Sequence, residues 1–293
     1  MINSKVMKQF CEENPKLVSV KKTSVEGINV LKYKRRVFYD NLWNEYLEEC
    51  RGTLVDDNYN VVSMPFTKIY NFRVEDKSPV LSDETPIIAY RKVNGFMGAI
   101  TYHNGDLLVS TTGSIDSDFC GYIYSLIDRD HYLSVLKDYP DFTFLFEVVH
   151  EDDPHIIPEV IGMYLLAIRK KSWQGELIYD YNTLKSLASD LGCYVPTCEI
   201  TTVGALMETV KNVTHEGFVF YTEDGVAAKV KSNYYLVSKA LARKKTISSL
   251  NKQLVDEEFY PLIDHLNSIK DEFEALGEQE RLNVIRNFFE RNN

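Results

Sequence analysis

The sequence predicts an α+β fold: antiparallel sheets with helices packed outside them, followed by a small all-helical segment. Three observations carry this. Short runs of aromatic and β-branched residues recur along most of the chain, bounded by Gly- and Asn-containing turns. Between them lie segments whose apolar residues repeat at the helical period. From about Tyr234 onward the helical period takes over altogether.

Taken in order, Met1 to Phe10 alternates polar and apolar residues and reads as the opening of a soluble domain. Neither a signal peptide nor an apolar run approaching the roughly 20 residues of a membrane helix is visible. Residues 86–90 and 96–102 read as strands flanking Lys92-Val93-Asn94-Gly95. His103-Asn104-Gly105-Asp106 is a hairpin signature, because Asn-Gly tolerates the positive φ of a tight turn, and residues 107–111 continue the meander. One helix is expected over 117–138, with Phe119, Tyr122, Ile123, Leu126, Leu133 and Leu136 on its apolar face. Residues 142–149 and 163–169 are strand-like, 181–192 helical, and 218–221 and 226–231 flank a turn at Thr222-Glu223-Asp224-Gly225. Phe259, Leu262, Ile263, Leu266, Ile269, Phe273 and Leu276 then keep helical spacing, and Gly277 separates them from Leu282, Ile285, Phe288 and Phe289. The expected division is a mixed domain over 1–240 and a helical one over 241–293.

Five scattered cysteines suit reduced thiols in the cytoplasm, and Cys193 and Cys198 lack the His pair of a zinc site. The net charge of −10 argues against a nucleic-acid binder, whose affinity rests on neutralised phosphates. The charge is uneven, however. Residues 246–293 hold five Lys/Arg against ten Asp/Glu. Cations cluster elsewhere, at Lys32, Lys34, Arg35 and Arg36, at Arg169, Lys170 and Lys171, and at Lys229, Lys231, Lys239, Arg243, Lys244 and Lys245.

Lys92 stands in a turn between two apolar strands, so its amine projects from a rigid frame. By itself that is also what an ordinary surface turn looks like. A nucleophilic lysine must lose its proton against a reference pKa near 10.4, which takes neighbouring cations or desolvation. Lys229-Val230-Lys231 offers two ammonium groups on one strand face, which equally describes a solvated sheet edge. Glu216 opens one strongly apolar strand and Glu147 lies within another, where a carboxylate is seldom buried without a partner. Together these residues can form a site for a metal and a polyphosphate. His150, His155 and Glu151-Asp152-Asp153 form a polar loop, either solvated or a second metal site, and His215 reads as structural.

In this order the motifs resemble the covalent nucleotidyltransferases, the superfamily of polynucleotide ligases and capping enzymes, and most of all the phage-type RNA ligase 1 branch. Lys92-Val93-Asn94-Gly95 takes the place of the nucleophile motif Lys-x-Asp-Gly. Glu49-Cys50-Arg51-Gly52 and Pro65-Phe66-Thr67-Lys68-Ile69-Tyr70-Asn71 resemble upstream elements of that branch, and Ser110-Thr111-Thr112-Gly113-Ser114-Ile115 resembles its Gly-Ser segment. Phe146-Glu147-Val148-Val149, Glu216-Gly217-Phe218-Val219 and Lys229-Val230-Lys231-Ser232 resemble the later ones.

The resemblance implies an ATP-grasp-like nucleotidyltransferase (ligase) domain and an ATP-dependent RNA ligase. In such enzymes the lysine takes AMP from ATP, passes it to a 5′-phosphate on RNA, and a 3′-hydroxyl then displaces it. It implies Lys92 as nucleophile, with Lys229 and Lys231 on phosphate oxygens. It implies Glu147 on the ribose and Glu216 at a magnesium ion, for which manganese can substitute. Arg51 and Lys68 fall where relatives contact ribose or triphosphate, and Asn94 and Gly95 belong to the nucleotide-binding turn. Tyr235 matches an aromatic residue that either touches the outer phosphates or packs. The implied partner is RNA with 5′-phosphate and 3′-hydroxyl ends, with no membrane, and with an end-healing kinase or phosphatase as a further candidate. Three departures stand out: Asn94 replaces the motif's Asp, Thr112 replaces a basic residue, and the C-terminal helical part is short for the branch. The alternatives are a nick-sealing ligase on DNA or RNA–DNA, and a non-catalytic nucleotide- or RNA-binding relative.

Overall fold

Where the N-terminal sequence gives only a weak periodic signal, four strands nevertheless pair into a sheet. In the computed structural model, which describes residues 2–243 and 260–292, strands numbered in chain order form β1 (Val18–Lys22), β2 (Ile28–Tyr33), β3 (Arg51–Asp56) and β4 (Val61–Ser63), each antiparallel to the next. Helix α1 (Ser4–Glu13) starts where the Asn3 side chain accepts a hydrogen bond from the Val6 amide at 3.0 Å. Its Met7 and Cys11, one turn apart, are buried in the core that this sheet covers. Two short helices, α2 (Arg35–Tyr39) and α3 (Glu45–Glu49), join β2 to β3 and are pinned by buried Val37 and Leu47.

The chain forms two compact units. The first comprises Met1–Tyr70, Gly95–Asp153 and Glu159–Cys198, and the second comprises Asn71–Asn94, Pro154–Pro158 and Glu199–Asn293. The first also contains a sheet in the order β11-β10-β9-β7-β8, built from β7 (Phe96–His103), β8 (Asp106–Thr111), β9 (Phe142–Val149), β10 (Gly162–Lys170) and β11 (Leu177–Ile178). The expected hairpin is present: Asn104 and Gly105 both take positive φ, 51° and 87°, between paired His103 and Asp106. Central β9 buries Phe144 and Phe146 completely, each worth about 1.5–3 kcal/mol of transfer free energy.

The single helix expected over 117–138 is in fact two, α4 (Asp118–Leu126) and α5 (Arg129–Leu136). Ile127 turns extended and the Asp128 carboxylate accepts from the His131 amide at 3.0 Å, so a new N-terminus starts inside the periodic run. Helix α6 (Tyr181–Leu191) runs as expected and ends at Gly192 in the left-handed region.

The second unit holds the sheet β12-β6-β13-β14-β5, made of β5 (Tyr70–Asn71), β6 (Pro86–Arg91), β12 (Cys198–Thr202), β13 (Gly217–Thr222) and β14 (Ala227–Lys231). One face packs Ala89, Phe218, Phe220 and Val230 with Leu206 of α7 (Val203–Thr209). The rest of the unit is helical: α8 (Asn233–Arg243), α9 (Tyr260–Ser268), α10 (Lys270–Ala275) and α11 (Glu278–Asn292). Leu241, Leu262, Phe273 and Ile285 share one core there. Buried Arg281 donates to the Leu276 carbonyl at 2.7 Å, capping the end of α10. The periodic run through Leu276 breaks at Ile269, and Gly277 separates α10 from α11 as expected. Phe259, Lys244 and Lys245 lie outside the described residues.

Candidate active site

Strand register assembles the centre of the site in the second unit. Strand β6 pairs antiparallel with β13, Arg91 opposite Phe218, and the Lys92 amide extends the ladder by donating to the Gly217 carbonyl at 2.8 Å. On the other side of β13, Lys231 of β14 stands opposite Gly217. Residues at the ends of three neighbouring strands therefore meet at Glu216. Lys92 Nζ lies 2.9 Å from Glu216 Oε2, and Lys231 Nζ lies 3.4 Å from Oε1. Lys229, two residues before Lys231, shares its sheet face and is half-buried, so the alternation expected from sequence holds.

Glu216 is only 3% exposed. Burial alone would push its carboxyl up, but the two ammonium groups and the hydrogen bonds from Lys92 and Asn94 outweigh it and hold the pKa below the usual glutamate value. Asn94 is just as buried and uses both ends of its amide: Nδ2 donates to Glu216 Oε2 at 2.8 Å, and Oδ1 accepts from the Ile157 amide at 3.0 Å. The glycine after Glu216 is obligatory. Gly217 has φ +134°, and a Cβ there would lie 2.1 Å from the Val230 carbonyl oxygen.

The chain after β14 turns into α8 through Ser232, whose hydroxyl accepts from the Tyr235 amide at 3.1 Å in the manner of an N-cap. That fixes Tyr235, 4% exposed, with Lys231 Nζ 4.8 Å from its ring centre. One turn on, Lys239 donates to the Tyr235 hydroxyl at 3.0 Å. Burial, with the negative charge of Glu216 adding to it, pushes Tyr235 up to about 12, while burial and the neighbouring cations lower Lys239. His215, next to Glu216, accepts from the Gly217 amide at Nδ1 (3.2 Å). Burial and Arg91 depress it to about 4, so it is a neutral, structural residue at pH 7.

The first unit carries the remaining expected residues. Glu147, half-buried on β9, accepts from the Gly95 amide at 3.1 Å. Gly95 passes so close to β9 that a Cβ would fall 2.2 Å from the Val148 carbonyl oxygen, so this glycine permits backbone approach. Arg51 opens β3 with its guanidinium 5.9 Å from the Tyr33 ring centre. Lys68, 8% exposed, sits in an aromatic cage, 3.9 Å from the Tyr70 ring centre and 5.0 Å from that of Trp43. Beneath these lies a buried pair: Arg169 bonds both oxygens of Glu49, at 3.2 and 3.1 Å, and also donates to the Gly175 carbonyl at 3.0 Å and to that of Pro65. Glu49, at the end of α3, is thereby tied to the segment leading to Lys68. In the polar loop His150 stacks on Tyr122 at 4.4 Å and accepts from the Asp152 amide at 3.1 Å.

Thus the second unit brings together Lys92, Asn94, Glu216, Lys231 and Tyr235, with Lys229 on the same sheet face as Lys231. Arg51, Lys68, Gly95 and Glu147 belong to the first. Sequence reading missed Lys239 as a partner of Tyr235, although the i,i+4 spacing was there to see. It also missed Trp43 and the Glu49–Arg169 pair, which couple segments 120 residues apart.

Lys92 is held against a buried glutamate that a second lysine from the neighbouring strand shares, an arrangement able to hold an amine beside fixed positive charge, and the fold is that of the covalent nucleotidyltransferases. Within that superfamily the chain belongs to the RNA ligase family, whose profile matches residues 49–240. Two forms of an archaeal ATP-dependent RNA ligase share the fold, each with a TM-score of 0.58, at 13% and 14% identity over 95% of this chain and 75% of theirs. A protein assigned as an ATP-dependent DNA ligase from Aquifex aeolicus aligns at 0.55, with 15% identity, over 97% of this chain and 75% of its own. No curated protein matches the chain. Among the described residues no helix is long and apolar enough to cross a membrane.

Proposed function

We propose that this chain is an ATP-dependent RNA ligase that joins 3′-hydroxyl and 5′-phosphate ends through AMP carried on Lys92. The observation that carries the reading is the buried Glu216 shared by Lys92, Asn94 and Lys231. The Lys92 amine attacks the α-phosphorus of ATP, the bond to pyrophosphate breaks, and a phosphoramidate forms. The 5′-phosphate of RNA then takes the AMP, freeing Lys92, and the 3′-hydroxyl displaces AMP to form the phosphodiester. Lys229 and Lys231 are assigned to phosphate oxygens, where fixed positive charge stabilises the transition state. Arg51 and Lys68 are assigned to further phosphate or ribose contacts, Glu147 to the ribose hydroxyls, and Tyr235 to the outer phosphates. Asn94 and Gly95 shape the turn that presents the nucleophile.

Lys92 is ion-paired with Glu216 as it stands, so the amine has to leave this pair before it can attack. Glu216 would be the residue that holds a divalent cation in place of that ammonium group. Among the described residues no group of three or more His, Cys, Asp or Glu gathers around a metal position. The single carboxylate of Glu216 suits an ion keeping most ligands as water and phosphate oxygen, magnesium or its substitute manganese. When bound, the ion neutralises polyphosphate charge.

Residues 1–240 are taken as the adenylyltransferase domain and 241–293 as a helical appendage, a division supported by the end of the family match at residue 240. The setting is cytoplasmic (a host's cytoplasm if the gene is a phage's), with an end-healing kinase or phosphatase supplying the ends.

The test is incubation with α-labelled ATP or GTP and magnesium, for wild type and Lys92→Ala. Label from ATP that survives denaturation and alkali but is released by acid, as a phosphoramidate is, is expected on the wild type alone, followed by joining of 5′-phosphorylated RNA in preference to nicked DNA. No label with any nucleotide or metal overturns the enzyme reading.

A further inference from the structure

One surface outside these residues combines exposed aromatic rings with cations, in a chain whose net charge is −10. It is the short helix α2 and the residue before it. Of the five residues of α2 only Val37 is buried, at 0% exposure, so this residue anchors the turn and the others project from it. Phe38 is 58% and Tyr39 75% exposed, with ring centres 5.6 Å apart in an edge-to-face arrangement. Lys34, Arg35 and Arg36 are exposed beside them, Arg36 paired with Asp40 at 2.9 Å.

Scattered exposed apolar residues need no explanation, but adjacent aromatic rings flanked by cations do. The rings offer π-faces and the cations offer charge, which is how unpaired nucleic-acid strands are held without sequence readout. A duplex keeps its bases stacked internally and has no use for the rings. The patch is also continuous with two phosphate-contact candidates of its own unit. Lys34 follows Tyr33, which carries Arg51 over its ring and meets Trp43 edge-on at 4.6 Å, and Lys68 lies over Trp43.

We propose that Lys34, Arg35, Phe38 and Tyr39 form the docking surface for an unpaired segment of the RNA being joined, bases on the two rings and backbone phosphates on the two cations. The choice of RNA rests on the ligase reading; the presence of a single-strand site does not.

The test uses the full chain and a fluorescent single-stranded RNA of about 12 nucleotides, within the range of site sizes for such surfaces. Affinity is measured by anisotropy between about 50 and 200 mM salt, beside a duplex of equal length. The pair Phe38→Ala/Tyr39→Ala should weaken single-strand binding by at least about fivefold, with little effect on the duplex. The pair Lys34→Gln/Arg35→Gln should flatten the slope of log affinity against log salt by about 1.4, roughly 0.7 for each phosphate no longer neutralised. Both should keep wild-type labelling by ATP and wild-type melting. Unchanged single-strand binding in both variants overturns the proposal. So does equal weakening on the duplex, which leaves a general anionic surface, or loss of labelling along with RNA, which makes the turn part of the nucleotide machinery. Absence of label on the wild type defeats the ligase reading alone, because RNA affinity is read separately.

Discussion

Asn94 changes meaning once its partners are known. From sequence it is a motif Asp that has lost its charge; in the structure it is a donor that Glu216 needs. An aspartate there would put a second carboxylate against a buried one and remove a hydrogen-bond donor. Asn94→Asp should therefore lower stability at pH 7 by about 1–3 kcal/mol, a melting shift of several degrees. Two facing carboxylates raise each other's affinity for a proton, so the deficit relative to wild type should narrow toward pH 5. Melting at both pH values checks this, and a deficit independent of pH would sink it. His215 titrates in the opposite sense. Its folded pKa of about 4 lies below the unfolded value near 6.5, so the unfolded chain binds the extra proton. The stability it confers is whole above about 6.5 and is lost as pH falls toward 4. Replacing it with Gln should flatten that limb of the melting profile and leave the alkaline side unchanged.

Among elements, the tie between β10 and the end of α3 has the largest expected effect. Glu49 and Arg169 are both about 5% exposed, and removing one leaves a buried charge without its partner. Arg169→Ala should cost about 3–5 kcal/mol in denaturant unfolding, while Glu49→Gln with Arg169→Met should cost far less. Equal losses would mean the pair is not what the position requires. This pair also marks the limit of sequence reading. The strands around Lys92 and Glu216 announce themselves through dense β-branched and aromatic runs and an Asn-Gly hairpin, and the site residues stand at their ends. The N-terminal sheet does not, because β1 mixes lysines with valines and buries only Val18, so it shows no apolar alternation. Glu49 was visible only as a motif letter, since no local pattern discloses a partner 120 positions away. The helix over 117–138 was misread for a local reason: period continues through Ile127 and Asp128, while a cap interrupts the backbone.

At the scale of the molecule, residues 246–293 hold half of the acidic excess, and the C-terminal helices share a core with α8, where Tyr234 and Val237 pack against the cluster of Leu262 and Phe273. A chain ending at residue 240 should keep ATP-dependent labelling of Lys92 but scatter light at lower temperature, because those side chains lose their cover. Loss of label would make the helices part of the adenylyltransferase. The segmented make-up of the two units has a further consequence, for synthesis rather than for chemistry. Lys92 and Glu216 are 124 residues apart in sequence, and β6 belongs to a sheet most of whose strands come after residue 198. On a ribosome adding about 5–20 residues per second, the strand that leads to Lys92 emerges many seconds before the strand that completes its ladder. Pieces of the first unit precede and follow that segment in sequence, so the order of translation leaves an apolar strand edge unpaired while the rest of its sheet is still being made, the kind of edge that invites misfolded pairings.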